Sequence, residues 1–157
     1  WTVSPEWQMP ARSPLSLPLL LASGAALTLG TLWLERRVAA LTRGREAGLV
    51  LALGGIAALG GLHVALLVVA LLNAGLAPTA TAHDATLLVG LAYLAAHGGL
   101  AALLAALQAW RAGLGLVGAR LPFEPGVVAL LWRYQLGAYW ILAAAMGLLP
   151  RLMGAGS

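Results

Sequence analysis

The chain has 157 residues, of which 61% are hydrophobic and only 9% are charged, whereas soluble domains carry about 25% charged residues. It contains no cysteine, which excludes disulfides, thiolate metal sites and cysteine nucleophiles. The net charge of +4 comes from arginines that lie scattered between apolar blocks, so it does not predict nucleic-acid binding; in a membrane protein such charges set the topology instead.

The first thirteen residues are polar, contain proline and include two tryptophans, Trp1 and Trp7. They lack the basic start and apolar centre of a signal peptide. Because tryptophan prefers the headgroup level of a membrane, residues 1–13 are expected to form an interfacial N-terminal strap. A chain that starts at Trp1 rather than at methionine is expected to be processed, trimmed or part of a longer polypeptide.

Four long stretches that are almost free of charge follow the strap. Spanning the hydrocarbon core of a bilayer takes about 20 apolar residues, and no stretch shows the alternation that a membrane β-barrel would need. We therefore predict an all-α, polytopic transmembrane bundle within residues 14–150, followed by a C-terminal tail at 151–157. The predicted helices cover residues 14–38, 47–73, 83–111 and 124–149.

The arginines between these helices predict the orientation of the chain. The second loop, at residues 74–82, has no basic residue, whereas the first and third loops do. Basic loops stay in the cytoplasm, so loops one and three are predicted to be cytoplasmic and both termini to face outward. The arginines in question are Arg36, Arg37, Arg43 and Arg45 in the first loop and Arg111 and Arg120 in the third.

Two histidines, His63 and His97, lie near the middle of the second and third predicted helices. These helices run antiparallel, which places the two imidazoles at similar depth. Three interpretations stay open: neutral imidazoles hydrogen-bonded to a neighbouring carbonyl or hydroxyl, axial ligands of a b-type haem, or members of a proton relay. The lack of cysteine excludes covalently attached haem.

Arg133 and Gln135 are the other polar residues at membrane depth. No acidic residue lies one helical turn from Arg133, so its partner is expected on another helix, another chain or a lipid phosphate; simple snorkelling toward water is the alternative. Gln135 is expected to hydrogen-bond across helices. The chain shows no paired carboxylates, nucleophile elbow, phosphate loop or metal-ligand spacing, so we predict no catalytic residue and no metal site.

The order of short motifs along the chain resembles subunit III of haem–copper terminal oxidases (cytochrome c oxidase), over the last four helices of that subunit. The first predicted helix, like its counterpart in the family, begins with proline and carries Ser-Gly followed by threonine, and a basic loop comes after it. The residues that carry the resemblance are Pro14, Ser23, Gly24 and Thr28, then His83-Asp84, then residues 96–100 (AHGGL), and finally Phe123-Glu124, Trp132-Arg133-Tyr134 and Tyr139-Trp140.

Several positions depart from the family pattern. The second histidine of the family's third-helix motif is Leu100 here, and the histidine after the closing tryptophan is Arg133. The acidic pair that often ends the second of these helices reads LLNAG, and the earlier helices of the family have no counterpart.

The resemblance implies a non-catalytic accessory component of a respiratory oxidase that couples oxygen reduction to proton pumping in a bacterial cytoplasmic membrane. Its partners would be oxidase subunits I and II in a hetero-oligomeric complex, together with phospholipid, and the chain would be either a separate subunit or part of a subunit I/III fusion. Haem and copper would belong to the partner subunits and this chain would bind no cofactor. The residues expected to bind lipid or a partner are Arg133, His97, Gln135 and Trp132.

Two other functions remain open from the sequence. One is a b-haem-binding or quinone-reactive membrane subunit that uses His63 and His97. The other is a small transporter or assembly factor.

Overall fold

The computed structural model describes residues 15–45, 47–79, 81–118 and 123–148. The predicted strap at 1–13 and tail at 151–157 lie outside this range. The described residues contain four long helices and no strand, which confirms the predicted all-α bundle. The helices are α1 (Leu17–Leu41), α2 (Leu49–Asn73), α3 (Ala82–Gly113) and α4 (Phe123–Leu142), and α4 continues into a π-helical segment, Ala143–Leu148.

The end of α1 lies further along the chain than the sequence suggested. The helix continues to Leu41 rather than to residue 38, so Arg36 and Arg37, which were predicted in the first loop, lie within the helix. Charged side chains do not stop a helix; a change of backbone conformation does, and here Gly44 adopts a φ of 74° just after the last turn.

The observed start of α3, at Ala82, lies one residue before the predicted start. The Thr81 hydroxyl accepts a hydrogen bond from the Asp84 backbone N–H at 3.0 Å, and the Asp84 carboxylate lies in the first turn, where the helix dipole favours negative charge.

The helices form a closed ring in which α1 packs on α2, α2 on α3, α3 on α4 and α4 on α1. Neighbouring helices are antiparallel, because residues late in one helix contact residues early in its neighbour. Trp33 of α1 contacts Gly55 of α2, and Leu142 of α4 contacts Gly90 of α3. The described loop residues, 42–45, 47–48 and 114–118, therefore lie at one end of the bundle. We call this the basic end, since Arg36, Arg37, Arg43 and Arg111 lie at or near it.

The interior is filled by aliphatic side chains together with two aromatic residues of α4, Trp132 and Tyr139, which are 0% and 1% exposed. The outer surface is also apolar: Leu51, Leu72 and Ile141 are each more than 70% exposed. In water so large an apolar surface would drive aggregation. In a bilayer such a surface can face lipid chains or pack against another membrane protein.

Candidate functional site: a buried polar network and a polar face on α4

His63 of α2 is fully buried at the centre of the bundle. Its Nδ1 lies 2.8 Å from the Ser23 hydroxyl oxygen and 3.2 Å from the Ser23 carbonyl oxygen, both on α1. The Ser23 hydroxyl in turn donates to the His63 carbonyl oxygen at 3.2 Å. The two residues therefore join α1 to α2 by reciprocal hydrogen bonds.

The chemistry of these partners fixes the proton on the imidazole. A carbonyl oxygen can only accept, so Nδ1 must carry the hydrogen that it shares with Ser23. Nε2 is then the acceptor in the neutral ring, and the Gln135 side-chain N–H group lies 3.4 Å from it. His63 thus uses both ring nitrogens inside the protein, in agreement with the interpretation of a hydrogen-bonded neutral imidazole.

Gln135 extends the same network to α3 and α4. Its amide nitrogen donates to the Leu94 carbonyl oxygen at 2.8 Å, in addition to its contact with His63. Its amide oxygen is buried and has no hydrogen-bond partner among the described residues. The expected interhelical hydrogen bond of Gln135 is therefore present, and it reaches the backbone of α3.

Tyr139 closes the network on the side of α1. Its hydroxyl donates to the Leu20 carbonyl oxygen, and its ring meets the His63 imidazole edge-on with centroids 5.2 Å apart. The adjoining cavity has a volume of only about 10 Å³ and is lined by leucines, Ala143 and Tyr139. The side-chain hydrogen bonds of Ser23, His63, Gln135 and Tyr139 thus connect all four helices.

His97 has quite different surroundings. Its Nδ1 donates to the Tyr93 carbonyl oxygen one turn earlier at 3.0 Å, and its ring lies on the Tyr93 ring with centroids 3.9 Å apart. The next residue, Gly98, is the one that faces His63. Since consecutive helical residues point about 100° apart, the two imidazoles project in different directions, and this geometry does not favour a shared haem.

A second group of polar side chains lies on the outside of the bundle where α3 meets α4. The hydroxyls of Tyr93 and Tyr134 are 2.5 Å apart, and the His97 ring lies 6.4 Å from that of Tyr134. We call Tyr93, His97 and Tyr134 the aromatic patch. Of these three residues, the sequence predicted only His97 as a site residue, while Tyr134 appeared only in the resemblance motif. The four-residue spacing of Tyr93 and His97 was a usable signal, but the contact with Tyr134 depends on the register between two helices.

Arg133 pairs with Glu35 on the other side of α4. Its Nε donates to a Glu35 carboxylate oxygen at 2.6 Å, and the two side chains are 61% and 35% exposed. The partner is thus on another helix, one of the three sources expected from the sequence. We call Arg133 and Glu35 the ion-pair patch.

Two of the residues predicted to bind lipid or a partner, Trp132 and Gln135, are 0% exposed. The Trp132 indole N–H donates to the Ala101 carbonyl oxygen at 3.2 Å, which fixes α4 against α3. Both side chains pack inside the bundle, where neither lipid nor a partner subunit reaches them. Of the four residues predicted to bind lipid or a partner, Arg133 and His97 have surface outside the bundle, and for these two an external contact stays a prediction.

The motif residues of α1 and α4 contact one another. The Thr28 hydroxyl accepts a hydrogen bond from the Trp140 indole N–H at 3.3 Å and donates to the Gly24 carbonyl oxygen at 2.7 Å. A Cβ atom on Gly24 would lie 2.6 Å from the Trp140 ring and 2.8 Å from the Tyr139 ring. Glycine at this position therefore lets the two aromatic rings rest directly on the backbone of α1.

A third polar group lies at the basic end. Arg111 of α3 donates to the Glu124 carboxylate of α4 through its Nη1 and Nη2 nitrogens, at 2.5 and 3.1 Å, and the Gln108 amide nitrogen donates to the same carboxylate at 3.3 Å. Bidentate pairs of this kind fix geometry as well as charge. This cluster braces the two helices where the third loop joins them.

Within the described residues, no three histidine, cysteine, aspartate or glutamate side chains are grouped so that they could hold a metal ion.

No family model, curated protein or solved structure matches the chain. The fold and surface define its class: all four helices are long and apolar enough to cross a membrane, so the chain is a multi-pass helical membrane protein.

Proposed function

We propose that this chain is a non-catalytic, subunit III-like accessory component of a respiratory haem–copper oxidase, the kind of complex that couples oxygen reduction to proton pumping. In this role it packs against the catalytic subunit and holds phospholipid. Haem and copper belong to the partner subunits I and II.

The observation that carries the proposal is the contact between the motif residues of α1 and α4. Gly24 and Thr28 come from the first motif of the resemblance, and Tyr139 and Trp140 come from the last. These residues define the resemblance, lie more than a hundred positions apart in the sequence and pack on each other. Their contact is therefore stronger support for the resemblance than either motif alone. Their contact supports a shared architecture.

The interior of the bundle supports an assembly role as well. At its centre the Ser23, His63 and Gln135 side chains are directed at each other. Arg133 and His97 lie on the outer surface instead, where a neighbouring molecule can reach them.

The location follows from the same proposal. The oxidase would lie in a bacterial cytoplasmic membrane, and the positive-inside rule places the basic end, with loops one and three, in the cytoplasm. Polar guanidinium groups at that end suit the phosphates of the inner leaflet.

The test is purification of the tagged chain from its native membranes in mild detergent. We expect a larger membrane subunit to co-purify and to carry the reduced-minus-oxidised haem spectrum, while the separated chain shows no Soret band. An equally tagged, unrelated multi-pass protein from the same membranes is the control. A Soret band on the separated chain would favour the b-haem alternative instead, and a complex without any haem-bearing subunit would refute the oxidase assignment.

A further inference from the structure

The outward surface of α4 is polar on both of its flanks. Leu130 and Gly137 lie along the centre of this surface, opposite the buried Trp132, Gln135 and Tyr139. Arg133 lies toward α1, where it meets Glu35, and Tyr134 lies toward α3, where it meets Tyr93. We call the whole surface, with its two patches, the α4 face.

These polar groups lie at membrane depth and are exposed. Arg133 is ten residues from the start of α4, or about 15 Å along its axis at 1.5 Å per residue. Its side chain is 61% exposed, and Tyr93 and Tyr134 are 42% and 52% exposed. Lipid chains offer no hydrogen bond, and tyrosine prefers the headgroup region.

The opposite side of the bundle shows what a lipid-facing surface of this chain looks like. The outward residues of α2 are aliphatic or small, and His63, the polar residue midway along that helix, points inward. The α4 face exposes aliphatic residues as well, but unlike the outward side of α2 it adds the Arg133 and Tyr134 side chains at membrane depth, which favours contact with protein over contact with lipid. The exposed aliphatic residues of α2 are Val50, Leu51, Leu62, Val68, Val69 and Leu72.

Each patch contains a hydrogen-bond donor and a hydrogen-bond acceptor that have no partner among the described residues. In the aromatic patch, two phenol hydrogens share one hydrogen bond, so one remains, and His97 Nε2 is an acceptor because Nδ1 holds the proton. In the ion-pair patch, Arg133 uses only Nε, which leaves its Nη groups as donors, and the second oxygen of Glu35 remains as an acceptor.

We propose that the α4 face pairs with a second copy of this chain, about a twofold axis parallel to the membrane normal. Such an axis preserves depth and exchanges left and right, so the ion-pair patch of each copy meets the aromatic patch of the other. Arg133 then donates to His97 of the second copy, and a phenol hydrogen of the aromatic patch goes to Glu35. The same two contacts form twice, once on each side of α4.

The centre of the α4 face fits close approach of two α4 helices. A Cβ atom built on Gly137 meets nothing within 4 Å in its own chain, so this glycine leaves a place open for the opposing backbone. Small residues at such positions let helices approach closely in lipid, where packing and hydrogen bonds drive association. The pairing does not depend on the oxidase assignment, since it follows from this face alone.

The first test is cross-linking in membranes, which is clean because the chain has no cysteine of its own. We expect Gly137→Cys to form an oxidised product of about twice the 16.0 kDa chain mass, since a disulfide needs Cα atoms within about 7 Å. Gly61→Cys, at an equally open position on the outward side of α2, is the matched control and should remain monomeric. Equal cross-linking at both positions, a product only with a different protein, or no product at either position would overturn the proposal.

The second test measures the dimer fraction against protein density in lipid vesicles by energy transfer between labelled copies. His97→Leu and Arg133→Met should each weaken the dimer by about ten- to hundredfold, because a single interhelical hydrogen bond in a membrane contributes about three- to tenfold and each contact occurs twice in the dimer. The double variant should lose less than the product of the two effects, because the residues share one contact. Thr86→Val removes a hydroxyl that bonds within its own helix and should change nothing. Unchanged association in both single variants, with helix content retained, would refute the pairing.

Discussion

At the scale of single residues, His63 and Ser23 show what the sequence can and cannot predict. A histidine in an apolar helix indicates a hydrogen-bonded imidazole, because a buried polar group without a partner is costly. Its partner lies forty positions away on another helix, and no local pattern encodes that distance. The same holds for Arg133 and Glu35. The sequence predicted that Arg133 needs a partner, but Glu35 could be identified as that partner only from the packing of α4 on α1.

Ser23→Ala and His63→Leu test this pair. Each substitution should destabilise the bundle, and the coupling between them should be about 0.6–1.7 kcal/mol, the size of interhelical hydrogen bonds measured in membranes. The two single variants and the double variant would be unfolded reversibly in mixed micelles, and the coupling read from the cycle. Strictly additive effects would mean that the observed hydrogen bonds contribute nothing to stability.

At the scale of helices, the stretches without charged residues were sufficient to predict all four helices, because a helix that crosses the hydrocarbon core must have about 20 apolar residues. Their ends were harder to place. α1 continues past three charged residues to Leu41, and α4 changes to a π-helix at Ala143. The end of α1 has a local signal in Gly44, which has a positive φ, whereas nothing in the composition predicts the change to a π-helix.

The packing of α1 on α4 depends on Gly24. In Gly24→Ala the new methyl group would lie 2.6 Å from the Trp140 ring, so one of two large rings must move. We expect a loss of about 1–3 kcal/mol, typical of overpacked cores. Gly61→Ala adds the same methyl group in open space and raises helix propensity, so it should be neutral or slightly stabilising. Thermal unfolding of the two variants side by side gives the comparison; equal stability would show that the rings move freely.

At the scale of the whole molecule, alternating antiparallel helices place loops one and three together, while orientation relative to the membrane rests on the arginines. Arg43→Cys and Thr79→Cys, at opposite ends of the bundle, should react with an impermeant maleimide from opposite sides of the membrane. We expect Arg43→Cys to react only after the cells are opened and Thr79→Cys to react in intact cells. Reaction of both from one side would contradict the alternating topology.

The length of α3 sets a demand on the surrounding bilayer. Its 32 residues extend about 48 Å at 1.5 Å per residue, against a hydrocarbon core of about 30 Å. The charged groups of the Arg111–Glu124 ion pair, near the last turn of α3, belong outside the hydrocarbon. The part of α3 that precedes this ion pair is still longer than the hydrocarbon core is thick. Hydrophobic mismatch then favours tilt or a thicker membrane. In vesicles of increasing acyl-chain length, the bundle should be most resistant to unfolding in the longer-chain lipids, whereas a response independent of bilayer thickness would mean that tilt alone absorbs the excess length.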